Sequence, residues 1–442
     1  MKSCIVEQPR TACAIGGFYT ALAIPGIVPV LHCGPGCVSQ SAALLASANG
    51  AQNAHPFNEH IIPCTDFGEA DVVFGGGERL RKNIENVARS YKADMILAIN
   101  GCSAEIVGDD NEEVARGFSG GDIPVLAVEA AGFRGNNLYG HSQVLKAILN
   151  HVEPTGKAVG GQVNVWGVAP FYDTFWAGTL EKIGEALTEA GLAPNIIYGR
   201  NGGLDKVKAV PSAEFNLLLG PWVDLDIVRL LKERFGTPYF HYPAIPVGPT
   251  ETARFLRELG EFAGLDRNRV ETRAKEGEER YYHYIRRSLL WVYRCRALPK
   301  RYYINSGAST ALSLHRYLVN DMGLIPCKIF LPEDVPEEHQ ERVEGYFRDV
   351  ELDSPYDVVF TGDGGLAAQE IAASGRPKWS LFYFGSVWDE PLSNNERIPF
   401  LSVSAPQGNV MAMDKTYFGY DGALRLYSDY YEQVASKGLR TS

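Results

Sequence analysis

Residues 29–39 read P-V-L-H-C-G-P-G-C-V-S. A short apolar run ends at His32, and a Gly-Pro-Gly turn follows with Cys33 and Cys37 on either side. Two more cysteines have comparable settings. Cys13 follows a strand-like N-terminal segment, and Cys102 follows M-I-L-A-I-N-G. Each reads as the end of a strand running into a glycine-containing turn. Thiolates are the ligands of iron–sulfur clusters, and they need not be neighbours in sequence. Single cysteines at the ends of neighbouring parallel strands can point into one space, where open α/β sheets bind ligands. Cys13, Cys37 and Cys102 are therefore expected to converge and bind a cluster. Gly36 and Gly101 stand beside two of them, and Gly16-Gly17 follows the third. Glycine there lets backbone approach inorganic sulfide and aim N–H groups at it. No C-x-x-C occurs, which excludes a zinc ribbon or a ferredoxin-type run. Buried free thiols would account for the same spacing, because cysteine is a frequent core residue.

Strands alternating with helices must position these thiols. In the first third, strands are expected at 27–31, 71–74, 95–99 and 123–128, with helices at 41–47, 78–91 and 111–118. That alternation predicts βαβ units and a parallel sheet. Gly75-Gly76-Gly77 matches neither G-x-G-x-x-G nor a P-loop, so it reads as a tight strand-to-helix turn. A second alternating pattern includes strands at 163–168, 195–198 and 215–219, helices at 179–190, 221–235 and 251–263, and a charged helical stretch at 266–296. A third includes strands at 301–305, 326–331, 357–361 and 399–403. The fold class expected is α/β, with three doubly wound parallel-sheet domains. They comprise a cluster-binding domain over 1–155, a second domain with a helical insertion over 156–298, and a third over 299–442.

Composition narrows the function. The chain has 442 residues, a net charge of −11 and no Lys/Arg block, which argues against a nucleic-acid partner. No apolar run approaches the ~20 residues that cross a bilayer. The N-terminus has no secretory h-region, so a cytoplasmic location is expected. Eight cysteines are too sparse for a disulfide scaffold, and a reducing compartment keeps them as thiols.

Five motifs, in order, resemble the nitrogenase component 1 superfamily. They are R-T-A-C-A-I-G-G-F around Cys13, L-H-C-G-P-G-C-V around Cys37, D-F-G-E-A-D-V-V-F-G-G, N-G-C-S-A-E-I-V-G-D-D around Cys102, and G-Y-D-G-A-L-R-L near the C-terminus. The resemblance implies a three-domain α/β fold. It implies that Cys13, Cys37 and Cys102 match the three thiolates each subunit gives to an interfacial 8Fe–7S P-cluster, with 4Fe–4S as the alternative. Phe74 matches the phenylalanine where the reductase docks, and Asp109 and Asp110 match an acidic tract near it. Both aspartates also suit helix N-termini, where the dipole favours carboxylates.

Departures from the family pattern set the subunit type. Residues 217–222, L-L-L-G-P-W, hold no thiol, and neither 404–408 nor 411–419 holds a histidine. The chain thus resembles the β-type partner, which does not carry the catalytic cluster, and no catalytic residue is assigned to it. Cys33 replaces a family glycine and is expected as a non-ligand thiol beside the cluster, with extra ligation as the alternative. Cys64 falls in a loop where β-type chains can carry a non-ligand cysteine. Gly132 stands where some β subunits place a serine near the cluster. The implied assembly is an α2β2 heterotetramer with an α-like catalytic subunit, reduced by an ATP-dependent iron-protein homodimer. The implied activity is a nitrogenase-like reductase, with methylthio-alkane reductase, which cleaves C–S bonds, as the first choice. A dinitrogenase β subunit and a cofactor-assembly scaffold are the alternatives.

Overall fold

The computed structural model describes residues 7–47, 62–295, 298–408 and 410–437. Twelve strands form three separate sheets. The first has the order β1 (Ile27–His32), β2 (Met95–Asn100), β3 (Val125–Glu129). The second runs β5 (Ala193–Asn195), β4 (Val159–Trp166), β6 (Ala213–Leu219), β7 (Tyr239–Tyr242). The third runs β10 (Asp357–Phe360), β9 (Ile325–Leu331), β8 (Arg301–Asn305), β11 (Leu381–Gly385), β12 (Phe400–Ser402). Every paired strand is parallel. All residues of β1 and β2 are buried, as expected of parallel strands covered on both faces. Among the described residues no helix is long and apolar enough to cross a membrane.

Several expected elements differ. Residues 71–74 form part of a helix, Glu69–Phe74, and not a strand. The Asp71 carboxylate reaches back to accept the Gly68 N–H at 2.8 Å, closing the first turn as in a capping box. Gly75, at φ +84°, stops the helix. The three glycines therefore join two helices, because the next begins at Gly77. The strand-like segment expected before Cys13 lies partly outside the described residues, and residues 7–12 form no strand. Cys13 makes an isolated antiparallel bridge to Asn136 and precedes a short 3-10 turn, Ala14–Gly17. The strand expected at 195–198 is Ala193–Asn195. The helix expected from 221 begins at Leu225, after Asp224 takes a left-handed φ of +62°. Strand β11 had no counterpart in the expected elements.

Two buried polar systems hold the N-terminal segment. Arg10 grips Asp389 with both terminal nitrogens, at 3.0 and 2.8 Å, and each side chain is 2% exposed. Asp389 also accepts Tyr383 Oη–H at 2.6 Å and the Ser386 N–H at 2.8 Å. Residues 7–10 are thereby fastened to the third sheet. The helix Asn137–His151 holds the residues just before Cys13. Its Asn137 exchanges two hydrogen bonds with Ala12, each 2.9 Å. The same helix is tied to the second sheet through buried His141, which lies between Thr20 Oγ1 at 2.7 Å and Asp224 Oδ1 at 2.9 Å.

This packing has two measurable consequences. Arg10→Ala leaves Asp389 buried and unpaired, which costs about 3–5 kcal/mol. Urea unfolding of the variant reads that loss, and adding Asp389→Ala should recover part of it. The second concerns His315, buried between Tyr302 Oη at 2.8 Å and the Phe347 carbonyl at 3.0 Å. Burial holds its imidazole down to about 3. Its contribution is therefore complete above the ordinary histidine value and is lost as pH falls toward the folded value. Melting temperature should drop between about pH 7 and pH 4, and less steeply in His315→Gln.

Candidate metal centre

Three local structures bring the predicted thiols to one edge of the first sheet. Cys102 opens the helix Cys102–Val107 directly after β2 and Gly101. Cys37 lies in the first turn of the helix Pro35–Ser47, after β1, and its N–H bonds the Gly34 carbonyl at 3.2 Å. Cys13 is set by Arg10 and by the Ala12–Asn137 bonds. Gly132 marks where two of the thiols meet. Its N–H donates to Cys102 Sγ at 3.0 Å. A Cβ built on it would lie 2.5 Å from Cys13 Sγ and 3.3 Å from Cys102 Sγ, so any side chain here would displace the Cys13 sulfur. Cys37 is near enough to interact electrostatically with Cys13. Burial raises the Cys13 thiol above its ordinary range, and the two neighbouring cysteines push the same way. Cys13 and Cys37 are exposed and Cys102 half-buried, so the group opens onto the surface.

Other predicted site residues take different roles. A Cβ at Gly101 would strike Cys33 Cβ at 2.6 Å, so that glycine serves packing against the end of β1. A Cβ at Gly17 would strike the Gly140 carbonyl at 2.5 Å, so it serves the seating of helix Asn137–His151. Among the described residues, a Cβ at Gly36 would meet nothing within 4 Å beyond its own stretch of helix. Cys33 is buried, and its thiol contacts those of Cys64 and Cys37. The turn carrying Gly132 is held by Arg134, which pairs with Glu105 on the helix that begins at Cys102. Sequence reasoning did not single out Arg10, Asn137, Arg134 or Glu105, although Arg10 and Glu105 lie inside two of the five motifs.

The residues matched to a docking surface separate into two kinds. Phe74 is 87% exposed. Val72 and Val73 on the same helix, Ile106 on the helix that packs against it, and Phe133 on the Gly132 turn are exposed too. Asp110 is exposed and caps the helix Asn111–Arg116 by accepting the Glu113 N–H at 2.8 Å. Asp109 points inward. It accepts the Gly76 N–H at 2.8 Å and bonds His32 Nε2 at 3.0 Å. His32 Nδ1 lies 3.0 Å from Thr65 Oγ1. Burial lowers the His32 value against the pull of Asp109, which favours the neutral ring donating from Nε2.

Side chains also join the C-terminal ends of the second and third sheets, the usual ligand position in open α/β sheets. Glu333, just past β9, accepts Trp222 Nε1–H at 2.7 Å and Tyr172 Oη–H at 2.9 Å. A Cβ at Gly307, just past β8, would lie 2.7 Å from the Glu333 carboxylate. Burial raises the Glu333 value.

Among the described residues no three His, Cys, Asp or Glu side chains close on a single metal ion. Thiolate donors, an N–H aimed at one sulfur and a glycine that keeps a Cβ out are features of iron–sulfur sites.

Comparison with known proteins gives the same direction. The family model for nitrogenase component 1 type oxidoreductase matches residues 12–435. The chain is 28% identical to the nitrogenase molybdenum-iron protein alpha chain of Frankia alni, over 59% of this chain and 56% of that one. It is 25% identical to the beta chain of Azotobacter vinelandii, over 60% of this chain and 53% of that one. These matches thus span a little over half the length of those two relatives. It is 24% identical to the iron-molybdenum cofactor biosynthesis protein NifE of Rippkaea orientalis, over 98% of this chain and 88% of that one. The fold matches a solved structure of nitrogenase Cp1 with a TM-score of 0.82 and 19% identity, covering 100% of this chain and 96% of that one. With the family model spanning nearly its whole length, the chain belongs to the nitrogenase component 1 type oxidoreductases.

Proposed function

We propose that this chain is the β-like subunit of a nitrogenase-like two-component reductase. The observation that carries this reading is the meeting of Cys13 and Cys102 at Gly132, with Cys37 beside them, on an exposed edge. Three thiols open to the surface suit half of a shared site. Cys13, Cys37 and Cys102 would hold an 8Fe–7S P-cluster with ligands from an α-like partner in an α2β2 heterotetramer. When bound, such a group supplies electron transfer across the interface. The chain's own residues position it. Gly132 bonds the Cys102 sulfur, which tunes its donor strength, and the Arg134–Glu105 pair steadies that turn. Arg10 and Asn137 fix Cys13. The apolar patch around Phe74 would receive an ATP-dependent iron protein, with Asp110 at its edge and Asp109 bracing it from inside. The hydrogen bonds that Glu333 accepts, and the absence of a thiol from 217–222, support a catalytic cluster carried by the partner. Three domains over 1–155, 156–298 and 299–442 complete the proposed organisation.

Methylthio-alkane reduction is the reaction we put first. The departures from the family pattern at Cys33 and Gly132 favour it over dinitrogen reduction, which stands second. An assembly scaffold is the remaining reading, favoured by the near-complete match to a cofactor biosynthesis protein. Retention of all three cysteines favours the enzyme.

The test is anaerobic co-purification with the α-like subunit, followed by iron analysis and EPR. A signal that appears on oxidation and is lost in Cys37→Ala supports the P-cluster. Gly132→Ala should lower the iron content as well, because the added methyl would crowd the Cys13 sulfur. A lone 4Fe–4S signal supports the scaffold, and an intact complex without iron overturns both. Phe74→Ala should leave iron unchanged. It should raise the iron-protein concentration for half-maximal electron transfer by about tenfold, equivalent to ~1.4 kcal/mol. An unchanged concentration dependence would remove Phe74 from the docking surface.

A further inference from the structure

We infer that a cavity beside the last helix is a binding site for a small amphipathic anion, an apolar body carrying one carboxylate. None of the residues around the candidate cluster lines it. The inference does not depend on the proposed reductase function.

Four of the five sequence motifs surround the cysteine-bearing edge, and the fifth, G-Y-D-G-A-L-R-L at 419–426, does not. It opens the helix Gly419–Ser436. With the helices Trp176–Ala190, Gly248–Phe262 and Arg267–Cys295, that helix start surrounds a cavity of about 590 Å³. Sites for small organic ligands span about 300–1,000 Å³ and are mostly apolar with a few placed polar groups. Phe255, Leu259, Val270 and Phe418, all buried, give this one an apolar lining. Thr252 lines it too. Its side chain is buried, and among the described residues its hydroxyl has no hydrogen-bond partner. Buried polar groups are normally paired, so this hydroxyl is available to a ligand oxygen.

The start of the last helix suits negative charge. No side chain caps it. Among the described residues, a Cβ at Gly419 would meet nothing within 4 Å beyond its own stretch of helix, so the helix start faces open space. Its entry is tightly packed. A Cβ at Gly422 would strike the Tyr417 backbone at 2.1 Å, and one at Gly277 would strike the Tyr420 ring at 2.2 Å. Tyr420 Oη–H also donates to the Ala274 carbonyl at 3.1 Å. Three arginines that line the cavity are engaged. Arg269 donates to the Glu189 carbonyl at 2.5 Å, Arg273 pairs with the Glu189 carboxylate, and Arg280 pairs with Asp421 at 2.8 Å. Arg425, in the second turn of the last helix, is exposed and has no ion pair among the described residues. A helix N-terminus and an unpaired guanidinium both favour a carboxylate. The ligand's carboxylate would sit there, with its apolar body along Phe255 and Leu259. Asp414 also lines the cavity, and it is the group that would favour a cation instead.

The experiment titrates decanoate, below its micelle concentration, into the anaerobically purified protein, in the complex in which it is isolated, by calorimetry. Decan-1-ol and decylammonium are the neutral and cationic probes. A diazirine-bearing decanoate locates the site by photo-crosslinking and peptide mapping. Decanoate should saturate at one per chain and bind about tenfold more tightly than either analogue. Crosslinks should fall within 252–270 and 418–425. Arg425→Gln should weaken decanoate about tenfold and leave decan-1-ol unchanged. Ala186→Phe, which fills the cavity from the helix Trp176–Ala190, should abolish decanoate binding and leave the melting temperature of the unliganded protein unchanged. Absence of saturable binding overturns the inference. So does equal binding of decanoate and decan-1-ol, a preference for decylammonium, crosslinks that map elsewhere, or unaltered binding in both variants. These readouts need neither iron nor turnover, so they stand or fall apart from the proposed reductase activity.

Discussion

A buried guanidinium facing a buried carboxylate decides where the first cysteine sits. Residues 7–12 form no strand, so no sheet carries Cys13 into place. Its position comes from Arg10 on Asp389 upstream and from Asn137 on Ala12 just before it. Such a pair is costly to desolvate, and its value lies in specifying one arrangement more than in raw stability. Asp389 also accepts hydrogen bonds from Tyr383, Ser386 and Asn305. The third sheet thereby reaches across the molecule to place a thiol at the edge of the first.

The parts legible in the sequence were those written in local pattern. β1, β2, β6, β8 and β9 are apolar runs ended by polar or turn residues, and each was expected within a residue or two. Cys37 and Cys102 were recognisable because each follows such a run. The run 72–74 misled for a physical reason. V-V-F looks like a buried strand, but here its apolar side chains face solvent on a short helix. Apolar character usually signals burial in the same chain, and these exposed side chains break that rule. The Arg10–Asp389 contact joins residues 379 apart. No single-sequence pattern encodes a pairing of that span.

The same economy governs two places in the fold. At the first sheet, glycine at 132 keeps a space between sulfurs clear. At the second and third sheets, Glu333 occupies the equivalent space between strand ends and draws Trp222 and Tyr172 onto itself. One place is kept clear by the lack of a side chain and the other is occupied by one.

His32 and Asp109 have a consequence for how force travels. Phe74 is followed two residues later by Gly76, whose N–H ends on Asp109, and Asp109 ends on His32 at the mouth of the cysteine turn. A Cβ at Gly76 would collide with both Phe67 and His32, at 2.7 and 2.8 Å, so this corner is packed solid. A carboxylate, an imidazole and two stretches of backbone make a stiff strut with no long side chain in it. The apolar helix and the sulfur-bearing turn are therefore joined through one carboxylate and one imidazole.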